Sequence, residues 1–341
     1  MYTGREMIEI LSTGPLCSVQ DAGRRGYRQL GVGLAGAMDQ IAYRVGNVLV
    51  GNPQGLAGIE VTVFPFKARF SGSAMVAVTG ADCNSTIAEK SLPPWWSFEV
   101  SEGDVLTLSP PKTGARAYIA VSGGIEVAPV LNSRSTDIKV GFGGFQGRCL
   151  KRGDILSVGA TDADRTRVKC PGFGVFPPQA TLQVPNGGSV ASNGVDQSKV
   201  TRVRVVAGPE YGEFTDGAKK SFWSTFWSVT PESNRIGYRM EGPRIELRKP
   251  LQLLSHGILP GVIQVPPSGK PIVMMSDAQT SGGYPKIGTV IEADLWRLAQ
   301  APLGSRVKFE EVEVEDSIAA AKELASYVQA IENSHWRTLW K

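Results

Sequence analysis

The chain has 341 residues, of which 42% are hydrophobic and 20% are charged, and its 36 lysines and arginines face 32 acidic residues. These values are typical of a soluble globular protein with room for two domains. No long basic run and no apolar segment of roughly 18 residues is present, so neither nucleic-acid binding nor membrane insertion is expected. The N-terminus lacks the apolar core of a signal peptide, which makes a cytoplasmic location the expectation.

Forty glycines and 22 prolines favour many turns between short strands. Alternating or fully apolar runs, such as those at 74–79, 115–121 and 203–207, predict strands along most of the chain. The segments Gly103–Leu108 and Gly153–Val158 echo each other, and each reads as a Gly-Asp turn that feeds a strand.

Helical spacing is clear in two places. Apolar residues from Met38 to Leu49 follow a helical period after Asp39, with a stop at Gly51-Asn-Pro53. A second stripe, from Ile318 to Ile331, follows Asp316-Ser317, which predicts an N-cap pair. A short helical turn is predicted around 293–300.

Prolines, glycines and asparagines between about residues 171 and 200 are typical of a linker. The sequence therefore predicts two mainly β domains, at 1–198 and 199–312, and a C-terminal helical tail at 313–341.

The chain has few cysteines and histidines, which limits the metal binding and nucleophilic catalysis to be expected of it. The four cysteines are far apart and contain no C-x-x-C pair, so we expect reduced, at least partly buried thiols and no metal site: Cys17, Cys83, Cys149 and Cys170. Of the two histidines, His335 is six residues from the C-terminus, so only His256 could serve a nucleophile, and such a device is not expected.

Two polar clusters lie in the predicted first domain. Asp21 with Arg24 and Arg25 forms either an anion site or a salt bridge that pins a loop, and Asp39 either caps its helix or helps to hold an anion at the helix start. The run Asn132–Asp137 carries five side chains able to bind phosphate or carboxylate oxygens.

Two further clusters lie in the predicted second domain. The first surrounds Asn234, Arg235 and Tyr238, where the tyrosine could instead be a packed aromatic. The second is the segment Ser276–Val290, in which an acid, an amide, a phenol and a cation surround a Gly-Gly-Tyr-Pro turn after an apolar strand. A polar hairpin tip would also explain this segment. Gln264, flanked by apolar residues, is either a buried amide with partners or a ligand contact.

These clusters, in this order, resemble the KipA-type family. That family comprises the C component of prokaryotic 5-oxoprolinase, subunit 2 of allophanate-hydrolase-like pairs, and half of the carboxyltransferase domain of urea carboxylase. The resemblance runs from Gly14 to about Phe309 and is carried by Gly36-Ala-Met-Asp39, Gly51-Asn-Pro53, Thr79-Gly-Ala-Asp82, Asn132-Ser-Arg-Ser-Thr-Asp137, Thr230-Pro-Glu-Ser233, Gly237-Tyr-Arg239, Gln264-Val-Pro-Pro-Ser-Gly269 and Gly282-Gly-Tyr-Pro-Lys286.

The resemblance implies a mainly β fold of two cyclophilin-like β-barrel domains with few short helices and a C-terminal helix. It also implies pairing with a KipI-like subunit, and a third LamB/YcsF-like subunit is a further expected partner. The sequence departs from the family pattern at Asn234 and Ala278, where Asp and Arg are frequent, and at His256, where an acid is common. A neutral Asn234 facing the ligand would change how anions or protons are handled.

The first function that the resemblance implies is a subunit of an ATP-dependent hydrolase of the 5-oxoprolinase type, acting on a small amide or lactam. Arg134, Arg235 and Lys286 would stabilise phosphoryl charge, and Asp277 would orient or deprotonate a nucleophile. We predict Asp277, Tyr284 and Lys286 as catalytic residues. The predicted substrate-binding residues are Asp39, Arg134, Ser135, Asn234, Arg235, Tyr238, Gln264 and Gln279.

The second implied function is a carboxyltransferase subunit that moves CO2 from carboxybiotin to urea or a relative, with Gln279 and Tyr284 lining the pocket. The chain has neither a Met-Lys-Met biotinylation site nor a Gly-rich ATP-grasp loop, so carboxybiotin would come from another chain or domain, and ATP could be bound with a partner. The third hypothesis is a non-enzymatic regulator that binds a KipI-like protein.

Overall fold

The computed structural model describes residues 7–160, 172–182 and 200–339. Its contacts divide the chain into two compact units. The first unit is built mainly from Ala35–Thr181, together with the segment that ends at Arg25 and the chain from Ala325 onward. The second unit consists of Gly26–Leu34 and Leu182–Leu324. Most of the predicted linker lies outside the described residues, so the predicted boundary at 198 stays a prediction.

The described strands of the first unit form two antiparallel sheets. The six-stranded sheet has the order β11-β1-β4-β9-β6-β7, and the five-stranded sheet has the order β2-β3-β10-β5-β8. The strands are β1 (Met7–Ser12), β2 (Ser18–Gln20), β3 (Gly58–Val61), β4 (Phe66–Phe70), β5 (Ala74–Asp82), β6 (Thr86–Ile87), β7 (Lys90–Ser91), β8 (Trp96–Val100), β9 (Val105–Leu108), β10 (Thr113–Val121) and β11 (Ile155–Ser157).

Both sheets contribute to one hydrophobic core in the first unit. Ile10 on β1 and Ile119 on β10 belong to the same buried cluster. The alternation in β4, where Phe66, Ala68 and Phe70 are buried and the residues between them are exposed, shows how a period of two turns one face of a strand to this core.

Helix α1 (Gln40–Leu49) lies in the first unit, and its start and end follow from the sequence. The carboxylate of Asp39 accepts hydrogen bonds from the amides of Ile41 and Ala42, which satisfies two of the free N–H groups at the helix start. Gly51 adopts a φ of 75° just beyond the last turn, a conformation that glycine reaches at little cost. A short helix, α2 (Pro178–Thr181), lies at the end of the Ala35–Thr181 segment of this unit.

In the described part of the second unit, seven strands close into a barrel with the order β12-β19-β16-β17-β14-β13-β20. A separate two-stranded hairpin pairs β15 with β18. These strands are β12 (Val200–Ala207), β13 (Trp227–Val229), β14 (Gly237–Glu241), β15 (His256–Gly257), β16 (Val262–Gln264), β17 (Ile272–Met274), β18 (Ser281–Gly282), β19 (Lys286–Val290) and β20 (Arg306–Glu311).

Three helices complete the described fold: α3 (Asp216–Ser224), α4 (Leu295–Ala299) and α5 (Val314–Leu339). The predicted helical turn around 293–300 is confirmed by α4 and the 3-10 turn Glu292–Asp294 that precedes it. Helix α5 begins earlier than predicted. Asp316 lies inside its first turn and accepts a hydrogen bond from the amide of Glu313, which is one of the two bonds of a capping box, so it is not the N-cap.

The described cysteines agree with the predicted burial. Cys17 and Cys83 are buried, Cys149 is half-buried, and all three are free thiols. Burial raises the pKa of the Cys83 thiol to about 12, which keeps it protonated and unreactive at neutral pH. Cys170 lies outside the described residues. Among the described residues, no helix is long and apolar enough to cross a membrane.

Candidate active site

The ladder between β16 and β19 of the barrel carries a pair of buried polar side chains. Gln264 on β16 and Lys286 on β19 are direct partners in the antiparallel ladder, so their side chains lie on the same face. The register shifts between Ile263 and Gln264, so this pair lies at an irregularity in the ladder, and both side chains are buried. The predicted residues Gln264 and Lys286 are therefore neighbours.

Glu210 holds Lys286 in place through one carboxylate oxygen. Its Oε2 accepts the backbone amide of Lys286 at 3.0 Å and lies 3.1 Å from Nζ of the same lysine. Gly208 permits this arrangement, because a Cβ there would lie 2.3 Å from the carbonyl oxygen of Lys286. The side chains of Lys286 and Glu210 are only 9% and 17% exposed, so the pair is shielded from solvent.

His256 contacts the same lysine from the β15–β18 hairpin. Its Nε2 atom meets the Nζ atom of Lys286, and its Nδ1 atom lies 2.8 Å from the carbonyl oxygen of Leu254. His256 is placed by its pairing with Gly282 in the hairpin. One carboxylate and one imidazole thus contact the ammonium of Lys286, the first residue of β19.

The amide nitrogen of Gln264 is buried and finds no hydrogen-bond partner among the described residues. A Cβ on Gly282 would stand 3.0 Å from this nitrogen, so a glycine at this position keeps the space beside the amide open. Burial of an unsatisfied donor costs about 1–3 kcal/mol. A ligand oxygen would remove that cost, and it could be shared with the ammonium of Lys286.

Arg235 and Asp277 are brought together, but as partners of each other. Nε and Nη2 of Arg235 donate to the two carboxylate oxygens of Asp277 at 2.9 and 2.8 Å. The predicted roles, phosphoryl binding for Arg235 and base for Asp277, find no support in this geometry. Nε and Nη2 of the guanidinium and both oxygens of the carboxylate are already hydrogen-bonded to each other. The pair instead joins the loop before β14 to the loop after β17.

The other predicted residues of the second unit divide into exposed and buried positions. Gln279 and Tyr284 are exposed, and Asn234 is exposed while its Oδ1 accepts the amide of Ile236. Tyr238 is 1% exposed and alternates along β14 with the exposed Arg239 and Glu241, so it points into the barrel interior. This position favours the packed-aromatic interpretation of Tyr238 over substrate binding.

In the first unit, the loop at 132–137, which was predicted to bind an anion, surrounds the carboxylate of Asp21. The hydroxyl groups of Ser133 and Ser135 and the amide of Arg134 all donate to the carboxylate of Asp21. The Nε atom of Arg134 donates to the carbonyl oxygen of Val127 at 3.0 Å. Ser135 is therefore committed to Asp21, and the cap described above likewise occupies Asp39. Arg134 belongs to a different unit from Arg235, Asp277 and Lys286, so their convergence on one pocket stays a prediction.

Sequence reasoning did not place Glu210 in the site, and it treated His256 as a departure from the family pattern and as an unexpected partner of a nucleophile. Glu210 follows a strand and a Gly-Pro pair, a common turn signal that does not reveal which strand the turn will approach. His256 lies on a two-residue strand with no periodic pattern of its own. Among the described residues, no group of three or more histidines, cysteines, aspartates or glutamates is arranged to hold a metal ion.

Comparison with known proteins gives the chain its family. The family model described as carboxyltransferase domain, subdomain A and B, matches residues 30–311. The C component of the 5-oxoprolinase of Escherichia coli K12 is 39% identical over 332 residues, which cover 97% of this chain and 98% of that protein. The corresponding component of the 5-oxoprolinase of Haemophilus influenzae is 36% identical over 325 residues, which cover 95% of this chain and 97% of that protein.

Solved structures agree with this result. The crystal structure of Kluyveromyces lactis urea carboxylase matches with a TM-score of 0.82 and 26% identity over 98% of this chain and 30% of that chain. The expected family and the mainly β fold class with a C-terminal helix are confirmed. The chain belongs to the carboxyltransferase domain family.

Proposed function

We propose that this chain is a subunit of a heteromeric, ATP-dependent lactam hydrolase of the 5-oxoprolinase type. The observation that carries the proposal is its 39% identity to the C component of a 5-oxoprolinase along nearly the whole length of both proteins. A relation of this extent favours a shared role as an enzyme subunit that works with partner subunits. We further propose that these partners include a KipI-like and a LamB/YcsF-like subunit.

The site on the second unit suits an amide or lactam oxygen. Lys286 offers an ammonium whose charge is balanced by Glu210, and Gln264 offers an N–H group without a partner in the described part of the chain. Two donors on one face can bind the carbonyl oxygen of a lactam and stabilise the negative charge that grows on it as the ring opens. Gln279 and Tyr284, being exposed, are proposed to contact the substrate from the rim.

Two of the cations predicted to stabilise phosphoryl charge are each paired with an acid. Arg235 is held by Asp277, and Lys286 is held by Glu210. A triphosphate carries several negative charges and is usually bound by a Gly-rich loop with free cations. We therefore propose that ATP is bound by a partner subunit or jointly with it, and that this chain supplies donors to the amide oxygen.

The test is to co-express the chain with its neighbouring subunits and to measure 5-oxoproline-dependent ATP hydrolysis and glutamate release. We expect Lys286→Met to reduce kcat by about 10²–10³-fold, as expected for loss of an oxyanion donor. The control is Lys220→Met, which removes the same charge from an exposed position on α3 and should leave turnover unchanged. Full turnover in Lys286→Met would remove this lysine from the mechanism.

A second candidate is a carboxyltransferase subunit, which is favoured by the structural similarity to urea carboxylase. In that case the donors of Lys286 and Gln264 would bind the carboxyl group or the amide acceptor. The same complex, assayed with carboxybiotin and urea, distinguishes the two. Turnover in neither assay, together with tight binding to the partner subunits, would instead support a non-enzymatic regulator.

A further inference from the structure

The contacts of His256 determine which of its ring nitrogens carries a proton. Nδ1 lies 2.8 Å from the carbonyl oxygen of Leu254, and a carbonyl can only accept a hydrogen bond. Nδ1 must therefore be the protonated nitrogen. The remaining question is the state of Nε2, the atom that faces Lys286.

The ammonium of Lys286 determines the state of Nε2, because an ammonium can only donate hydrogen bonds. One of its three N–H groups is directed to Glu210, and its contact with Nε2 of His256 requires a lone pair on that nitrogen. A proton on Nε2 would instead set an imidazolium against an ammonium, with Glu210 as the carboxylate that the structure places beside them. Like charges this close repel strongly away from bulk water.

We propose that His256 is a positioning residue, held as the neutral Nδ1–H tautomer, whose Nε2 lone pair directs the Lys286 ammonium so that its third N–H group faces the substrate. Glu210 and His256 then fix two of the three donors of the lysine. The third donor and the unpartnered amide nitrogen of Gln264 remain for the ligand oxygen. The tautomer follows from geometry alone, whereas its effect on catalysis rests on the proposed function.

Neutrality of His256 also bears on substrate charge. With Lys286 positive, Glu210 negative and His256 neutral, the three groups sum to zero. A substrate that carries a carboxylate, as 5-oxoproline does, meets no net negative charge there. A carboxylate at position 256 would still accept from Lys286 but would make the sum negative and repel such a substrate.

The tautomer can be measured without any enzymatic assay. The full chain has only two histidines, so long-range 1H–15N spectra of its imidazoles show two ring systems, which His256→Gln assigns. We expect His256 to give the Nδ1–H pattern, and we expect the resonance of the unprotonated Nε2 to shift in Lys286→Met, because that nitrogen loses its hydrogen-bond donor while Nδ1 keeps the carbonyl of Leu254. An Nε2–H pattern in the wild-type protein, or a spectrum unchanged by Lys286→Met, would overturn the proposal.

Kinetics of the reconstituted complex test the positioning role. We expect His256→Leu to lower kcat by about 10–100-fold through misplacement of Lys286, and His256→Gln, which keeps a neutral acceptor, to recover most of that loss. His256→Glu should instead raise the KM for 5-oxoproline more than it lowers kcat. Equal kinetic parameters in the Leu and Gln variants would reject the role. If the wild-type complex has no turnover, the proposed function fails, while the spectra still decide the tautomer.

Discussion

The guanidinium of Arg235 and the carboxylate of Asp277 are both buried, with side-chain exposures of 7% and 4%. Two parallel hydrogen bonds join them across 42 residues of sequence. Removing one partner from such a pair leaves an uncompensated charge in a low-dielectric environment, whereas removing both leaves a cavity but no charge. The pair thus holds two loops of the barrel together.

We expect Arg235→Met to lower the free energy of unfolding by about 3–5 kcal/mol, because it strands the carboxylate of Asp277. The double variant Arg235→Met with Asp277→Leu should lose clearly less than the two single variants combined. Urea denaturation of the four proteins measures the coupling between the residues. Additive losses would show that the two side chains act independently.

The residue types at these positions were predictable, but their pairing was not. The sequence shows an arginine and an aspartate in polar, glycine-bounded loops, which equally suit a substrate and an internal ion pair. The choice depends on the register Gly237↔Met274 between β14 and β17, which sets the ends of the two loops side by side. Register across distant strands is a tertiary property that one local pattern does not contain.

The β15–β18 hairpin is the element that shapes the candidate site. It carries His256 on one strand and Gly282 on the other, and Gly282 faces the buried amide of Gln264. A methyl group at Gly282 would meet Cδ1 of Ile258 at 2.4 Å and intrude beside Nε2 of Gln264. The same hairpin offers a control at Gly257, where an added Cβ meets nothing within 4 Å.

We expect Gly282→Ala to reduce kcat/KM of the reconstituted complex by about tenfold or more, since displacement of a positioning element by even 1 Å is costly for catalysis. Gly257→Ala should stay close to the wild type. Steady-state kinetics and thermal denaturation of both variants provide the comparison. Equal activities would show that the space beside Gln264 is not used by the substrate.

The two Gly-Asp turns identified in the sequence are confirmed as turns that feed β9 and β11. Gly103 and Gly153 both have a φ of 87°, and the following Asp104 and Asp154 accept the amides of Ser101 and Lys151. This prediction succeeded because all of its information is local: a left-handed glycine and an aspartate that closes its own turn. The arginine that binds Asp154, Arg148, was not foreseen.

The carboxyl of Asp154 has a lowered pKa, chiefly because Arg148 donates hydrogen bonds to it. A pKa lowered in the folded state gives stability that is present above the ordinary aspartate value of about 3.9 and is lost as pH falls through the folded value. We therefore expect Asp154→Asn to cost about 1 kcal/mol or less at pH 7, since Arg148 is partly exposed.

That difference from the wild type should shrink as the pH falls from 7 toward 3, which denaturant titrations at each pH can measure. Asp104→Asn is the matched control, because Asp104 closes the equivalent turn without an arginine partner among the described residues. A penalty for Asp154→Asn that does not change with pH would contradict a charge-based contribution.

At the scale of the whole molecule, the fold class and the family were predictable, whereas the site was predictable only in part. Dense turns, short strands and few helical stripes suffice to indicate a mainly β chain, and ordered motifs suffice to indicate the family. Gln264 and Lys286, both predicted from the sequence, are cross-strand neighbours in the structure and lie next to the same glycine-rich turn. Glu210 joins them only because the strand β12 lies beside β19 in the closed barrel.

The loop around Asp21 has a practical consequence for protein design. Its two hydroxyls and one amide already form a receptor for a carboxylate, and the chain fills that receptor with its own side chain. Truncating the aspartate to glycine would vacate a ready-made pocket of formate or acetate size. The stability of such a variant would then depend on the concentration of a simple carboxylate salt.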